Sequence, residues 1–172
     1  MSTHSRRQFI ARSATVAAFP YVLTQRGLAA KRPASERIRV GMVGAAGRAG
    51  SLNSIFARNP NAEVVSIAEI DPRRTAQTLQ RVTEIQGHKP RVTTDFRKLI
   101  EDDSIDALCV GTPDHWHAIP TILGCLAGKD VYVEKPDGHN IVEGQRMVAA
   151  MRKHKRIVQM GSQHRSTERL QS

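Results

Sequence analysis

The chain predicts an α/β fold, a doubly wound parallel sheet, and three observations carry that prediction. Six short apolar runs alternate with longer segments of helical pattern, the rhythm of strand–helix–strand crossovers. A cluster of small residues, Gly44 to Gly50, follows the first apolar run directly. Polar residues suited to ligands stand just after runs one, two, four and five. In an open α/β sheet these strand ends face the ligand crevice.

The first run, Ile38 to Val43, is interrupted only by Arg39 and Gly41, and a helix is expected from Ser51 to Arg58. Strand, glycine-rich turn and helix set backbone N–H groups and a helix N-terminus against a pyrophosphate. The G-x-G-x-x-G spacing is incomplete: Gly44 takes the first place, Ala46 the second and Ala49 the third. Alanine is an accepted third residue. At the second place it adds a methyl where the pyrophosphate would approach, which Gly47 beside it can offset. Gly44, Ala46, Gly47, Arg48 and Ala49 are the candidate cofactor-binding residues here. A tight turn that holds no ligand is the alternative.

The first helix stops at Asn59-Pro60-Asn61, and Glu63 to Ile70 reads as the second strand. An acidic residue at the end of that strand can accept hydrogen bonds from adenosine ribose hydroxyls. Glu69 and Asp71 both stand in that range, and Asp71 can also cap the next helix. A carboxylate there repels a 2′-phosphate and favours NAD. Arg73 and Arg74 follow at once and leave NADP possible.

Ala76, Leu79, Val82 and Ile85 form the expected inner face of a helix from Arg73 to Gln86, closed by Gly87. A third strand spans Arg91 to Thr94. Asp95 caps a short helix to Ile100, and Ile105 to Gly111 is a buried-type fourth strand. At its end stand Thr112-Pro113-Asp114-His115-Trp116-His117, with a helix expected from His115 to Ala127. His115 and His117 do not share a helix face, so no metal site is expected. The fifth strand, Asp130 to Val133, runs straight into Glu134-Lys135-Pro136. A lysine desolvated in a crevice can accept or donate a proton; a charged one can hydrogen-bond a substrate hydroxyl. Ile141, Met147, Val148 and Met151 face inward from a helix spanning Ile141 to His154, and Ile157 to Met160 is the last strand.

The 172 residues suffice for one domain with a core. Arg6, Arg7, Arg12 and Arg26, with no acid among the first thirty residues, supply four of the ten net positive charges. The rest are spread among acids. No recognition-helix pattern and no basic patch interleaved with aromatics is present, which argues against nucleic-acid binding. Cys109 and Cys125, in a strand and a helix, read as small buried apolar residues; a disulfide is open in an exported protein. Ser5-Arg6-Arg7-Gln8-Phe9-Ile10 resembles the twin-arginine export signature. It precedes an apolar stretch too short for a membrane span and a small-residue site at Ala29 or Ala30. Residues 1–30 are therefore expected to be a signal peptide read by the twin-arginine machinery, delivering a folded protein to the periplasm or outside. A linker follows at 31–36, then a dinucleotide-binding domain at 37–161.

Taken together, these motifs resemble the glucose–fructose oxidoreductase, inositol dehydrogenase and rhizopine-catabolism (Gfo/Idh/MocA) family, over Arg37 to Arg165. The resemblance implies a Rossmann-like domain that binds NAD or NADP. Thr112, Pro113, His115 and His117 would line the nicotinamide half. The AGKDV run before Glu134-Lys135-Pro136 matches the family's lysine motif. By that match Lys135 relays a proton or orients a sugar or polyol hydroxyl. Glu134 fixes local geometry or contacts cofactor, and His117 stands at the cofactor–substrate boundary. A glycosidase that uses transient oxidation by bound NAD is a second reading, and a non-catalytic dinucleotide-binding fragment a third. Family members continue into a C-terminal α/β substrate domain that builds much of the substrate pocket and usually the oligomer interface. Here residues 162–172 would be only its start. The chain alone is thus expected to bind dinucleotide but to turn substrate over poorly, with homo-oligomers only if that second domain is present.

Overall fold

The computed structural model describes Glu36 to Ser162. The expected signal peptide, most of the linker and the polar tail after Ser162 lie outside the described residues. In chain order the elements are β1 (Ile38–Val43), α1 (Gly47–Arg58), β2 (Ala62–Ala68), α2 (Pro72–Gln86), β3 (Arg91–Thr93) and α3 (Arg97–Ile100). After these come β4 (Ala107–Val110), α4 (Ala118–Leu126), β5 (Asp130–Glu134), α5 (Ile141–His154) and β6 (Val158–Gly161). The strands form one sheet in the order β3-β2-β1-β4-β5-β6, and every neighbouring pair is parallel.

Alternation along the strands, with a register shift that skips Val65 in the pairing of β2 with β1 and so lets Val64 and Ile67 share a face, explains the layers. Val40 and Met42 of β1 pack with Val64 and Ile67 of β2 against Leu52 and Ala57 of α1 and Val82 of α2. Val43, Leu108, Val110, Val131 and Val133 meet Leu99 of α3, Ala118 and Cys125 of α4, and Met147 and Ala150 of α5 on the other face. The sheet is therefore doubly wound. Cys109 belongs to the first cluster and Cys125 to the second, and both are free thiols. Burial pushes both thiols up from their ordinary range.

Several expected boundaries move. Helix α1 begins at Gly47 rather than Ser51, so half of the glycine cluster is already helical. Strand β2 ends at Ala68, and Ile70 is 82% exposed instead of closing the strand. Thr112 to Trp116 forms an extended bend and a single 3-10 turn, and α4 starts only at Ala118, with Pro120 in its first turn. The buried face of α2 is rotated from the apolar stripe: Thr75 and Thr78 are buried while Ala76 is exposed, because Thr78 Oγ1 donates to Ala45 O at 2.6 Å. On α5, Met147 is buried as expected, but Ile141 is 81% exposed and Val148 also faces outward. Asn140 caps this helix by accepting from Glu143 N, which fixes its start regardless of Ile141.

Asp102 holds the approach to β4. Its carboxylate accepts from Ser104 N at 2.9 Å and Ser104 Oγ at 2.6 Å and pairs with Arg91. The Ser104 hydroxyl, helped by the Ser104 amide and Arg91, holds the Asp102 carboxyl down to about 2 from 3.8. A depressed folded value means stabilisation that is present above the unfolded value and is lost as pH falls through the folded one. Asp102→Asn should therefore lower unfolding free energy by about 1–2 kcal/mol above pH ~4. In denaturant melts its deficit should close between pH ~4 and ~2.

Candidate functional site

The strand order turns back on itself between β1 and β4, and in parallel sheets this switch point opens a crevice at the carboxyl edge. The turn after β1 forms its floor. Gly44 has φ +106°, a left-handed conformation, and a Cβ there would lie 3.1 Å from Ala49 Cβ and 3.2 Å from Gly111 O. Glycine is required at that place on both grounds. The backbone of the turn is pinned from three sides. Asn53 Nδ2 donates to Gly44 O at 3.1 Å, Thr78 Oγ1 donates to Ala45 O, and Ala45 N donates to Glu69 Oε2 at 2.9 Å. Asn53 and Thr78 escape sequence reading because a polar residue inside a helix gives no periodic signal. The N-terminus of α1 has no side-chain cap and no acid in its first turn. Its first turn thus carries no acidic side chain of its own, and the nearest carboxylate, Glu69, is bonded to Ala45 N in the turn before it.

Glu69 lies just beyond β2. Besides Ala45 N, it accepts from Asp71 N through Oε1 at 3.1 Å, so one carboxylate fixes both the turn and the start of α2. Asp71 caps α2 by accepting from Arg73 N at 3.0 Å. The Arg73 guanidinium also binds its carboxylate, and Arg74 approaches at 3.4 Å. Those contacts, Arg73 first, hold the Asp71 carboxyl below its ordinary range.

The main cleft has a volume of about 960 Å³. It brings together Gly44, Ala46, Glu69, Asp71, Thr112, Pro113 and His115 among the residues expected from sequence. It also takes in Arg74 and adds Phe96, Trp116, Ile119 and Leu123, an apolar flank on which the Phe96 and Trp116 rings meet edge-on at 6.3 Å. Ile119 and Leu123 are four apart on α4 and so share one face of that helix. A second groove of about 520 Å³ shares Ala45, Ala46, Asp71 and Arg74 with the cleft and contains Gly47, Arg73 and Arg81.

Arg48, Ala49, His117, Glu134 and Lys135 do not line the cleft. Ala49 is buried against Gly111, where an added Cβ would meet it at 2.9 Å. His117 is 2% exposed. Its Nδ1 meets Pro136 O at 2.5 Å and its Nε2 meets Thr112 O at 2.8 Å. This imidazole braces the loop after β4 against the loop after β5, instead of standing at an open boundary. Glu134 is 3% exposed and joins Arg48 Nε at 2.7 Å, while its Oε2 accepts from Lys135 N at 3.1 Å. Lys135 follows β5 and is exposed, so the described residues alone do not build the desolvated crevice that a proton-accepting ammonium requires. The Lys135–Pro136 peptide is cis.

An uncapped helix start, a glycine turn without room for a Cβ, and a carboxylate bonded to that turn define a dinucleotide-binding α/β domain. Residues 38–162 match the Gfo/Idh/MocA oxidoreductase family, described as an oxidoreductase family with an NAD-binding Rossmann fold, and the chain belongs to that family. It is 33% identical to an inositol 2-dehydrogenase from Rubrobacter xylanophilus, over 76% of this chain and 37% of that protein. It is 27% identical to a glycosyl hydrolase family 109 protein from Saccharopolyspora erythraea, over 72% of this chain and 28% of that protein. The chain thus spans 28–37% of the length of these relatives. Among solved structures, GenD2 from gentamicin A biosynthesis in complex with NAD superposes with TM-score 0.66 at 24% identity, over 73% of this chain and 34% of that one. The myo-inositol 2-dehydrogenase from Lactobacillus plantarum superposes with TM-score 0.65 at 24% identity, over 77% and 38%. These likenesses establish the fold.

Removing the imidazole breaks the brace between the loops after β4 and β5 and empties a buried site between them. His117→Ala should therefore lower unfolding free energy by about 1–3 kcal/mol, read by urea unfolding.

Proposed function

We propose that this chain is the nucleotide-binding part of an NAD-dependent oxidoreductase acting on a hydroxyl of a sugar or polyol. The observation that carries the reading is the Glu69–Ala45 hydrogen bond, which sets a carboxylate against the glycine turn at the mouth of an uncapped helix. A pyrophosphate fits over Gly44, Ala46 and Gly47, where backbone N–H groups and the α1 dipole supply positive charge. Ribose hydroxyls fit the acceptor capacity left on Glu69 and Asp71. The apolar flank of Phe96, Trp116, Ile119 and Leu123 suits a flat base, and Thr112, Pro113 and His115 stand on the far side of the switch point. NAD is preferred over NADP, because the Glu69 and Asp71 carboxylates repel a 2′-phosphate and the Arg73 and Arg74 guanidiniums are already engaged by Asp71.

When bound, the nicotinamide supplies the hydride acceptor for alcohol oxidation. The chain's own part is the proton. Lys135, held through its amide by Glu134, takes or orients the hydroxyl proton as the carbon loses hydride. His117 contributes by fixing the loops on either side and does not touch the substrate. The inositol 2-dehydrogenase relative supports the choice of a polyol substrate.

A second reading is favoured by the glycosyl hydrolase family 109 relatives: transient oxidation of a sugar that ends in glycosidic cleavage. Product analysis separates the two, since the first accumulates NADH and the second releases a sugar with no net redox change. A third reading, a dinucleotide-binding chain without turnover of its own, rests on the exposure of Lys135. Export by the twin-arginine route to the periplasm rests on the Ser5 to Ile10 signature, and fractionation of the expressing cell tests it.

Calorimetric titration tests the central reading. NAD⁺ should give a saturable heat and bind at least about tenfold more tightly than NADP⁺. Glu69→Ala, which removes a charged acceptor and frees the turn, should weaken NAD⁺ binding about 10- to 100-fold. Absence of heat with both NAD⁺ and NADH would refute the reading. Where polyol turnover is measured, Lys135→Met should lower it about 10²- to 10⁴-fold and leave the NAD⁺ affinity within about threefold.

A further inference from the structure

We infer that Arg48 is a positioning residue for Lys135, acting through Glu134 and coupling the occupancy of the glycine turn to the placement of the lysine. The inference rests on the proposed role of Lys135 in proton transfer. Arg48 is the second residue of α1, at the helix end where a pyrophosphate fits, yet its Nε is bonded 2.7 Å from Glu134 Oε1 at the end of β5. Eighty-six residues separate the two in sequence. The pair is uneven: the Arg48 side chain is 38% exposed, whereas the Glu134 carboxylate is buried. The other Glu134 oxygen accepts from Lys135 N. A continuous path thus runs from the N-terminus of α1 through one guanidinium and one carboxylate to the Lys135 backbone.

The surroundings hold the carboxylate in place. An added Cβ at Gly161 would stand 2.9 Å from Glu134 Oε1 and 2.5 Å from the Tyr132 hydroxyl, so β6 closes tightly over the pair. Hydrogen bonding to Glu134 holds the Arg48 guanidinium's pKa above its ordinary value, and burial followed by the Glu134 charge pushes the Tyr132 phenol up. A guanidinium has five N–H donors, so the bond through Nε leaves the partly exposed Arg48 side chain able to meet an anion at the start of α1. An anion there competes for the cation that compensates Glu134. Any shift of the Glu134 carboxylate is felt at the Lys135 amide. Removing Arg48 strands a buried carboxylate, which must then turn toward water or bind a proton.

The test follows Lys135 itself. Lysines of the full chain are ¹³C-methylated, and the Lys135 resonance is identified by its loss in Lys135→Arg. Spectra are then recorded with and without NAD⁺ for the wild type, Arg48→Lys, Arg48→Ala and the charge-balanced Arg48→Ala/Glu134→Gln, with calorimetry and thermal melts alongside. The expected results are a displaced Lys135 resonance in Arg48→Ala before any cofactor is added, loss of its NAD⁺-induced shift, and partial recovery of both in Arg48→Lys. The double variant keeps the experiment decisive if Arg48→Ala alone unfolds: it should melt cooperatively and show the same loss. Weakened NAD⁺ binding with an unmoved Lys135 resonance and an intact induced shift would make Arg48 a phosphate ligand only and overturn the inference. A wild type that shows no heat with NAD⁺ refutes the underlying functional reading instead, and the cofactor-free spectra still decide the link between Arg48 and Lys135.

Discussion

Every strand of this sheet runs in the same direction, and the rest of the molecule follows from that constraint. Parallel strands cannot be joined by tight hairpins, so each connection crosses a face of the sheet, mostly through a helix, and the apolar strands end up buried on both sides. Parallelism also delivers all six C-terminal ends to one edge. The glycine turn, Glu69, the Thr112 bend and Lys135 are far apart in sequence but share that edge because β1, β2, β4 and β5 end there. The break in strand order between β1 and β4 then separates two loops and leaves a cleft between them.

That edge is made of loops, and loops hold a shape only if their polar groups are satisfied. Here a small set of side chains does this across elements. Glu69 ties the turn after β1 to the start of α2, Asn53 and Thr78 take the carbonyls of the turn, and His117 spans the loops after β4 and β5. The Arg48–Glu134 pair joins the two halves of the domain at the same level. Each brace is a short polar contact, which makes the edge stiff where cofactor atoms would have to be placed to within a fraction of an ångström.

The fold was legible because both of its periodicities are strong. Apolar strands such as Val64 to Ala68 and turn signals such as Asn59-Pro60 and Gly87 locate the elements to within a few residues. The errors have physical causes. Helix α1 starts earlier than its composition suggests, because a glycine-rich stretch can be helical once tertiary contacts hold it. The face of α2 was misassigned, because Thr78 is buried by a hydrogen bond rather than by apolarity. Glu69, Asp71 and the Thr112 bend were readable as cleft residues from their place at strand ends. The burial of His117 and Glu134 was not, since a histidine beside a ligand and a histidine pinned between carbonyls look alike in one dimension.

Membership of the Gfo/Idh/MocA family, an NAD-binding Rossmann match over residues 38–162 and the cleft at the switch point together support the proposal that the carboxyl edge of the sheet is the functional surface of this domain. The most direct test is a map of backbone amide shifts as NAD⁺ is titrated into the ¹⁵N-labelled chain. The account predicts that the largest changes fall on Gly44 to Ala49, Glu69 to Asp71, Thr112 to Trp116 and Lys135, and leave the opposite edge, at Arg39, Asn61 and Asp106, unmoved. Shifts confined to that opposite edge, or to α5, would contradict it.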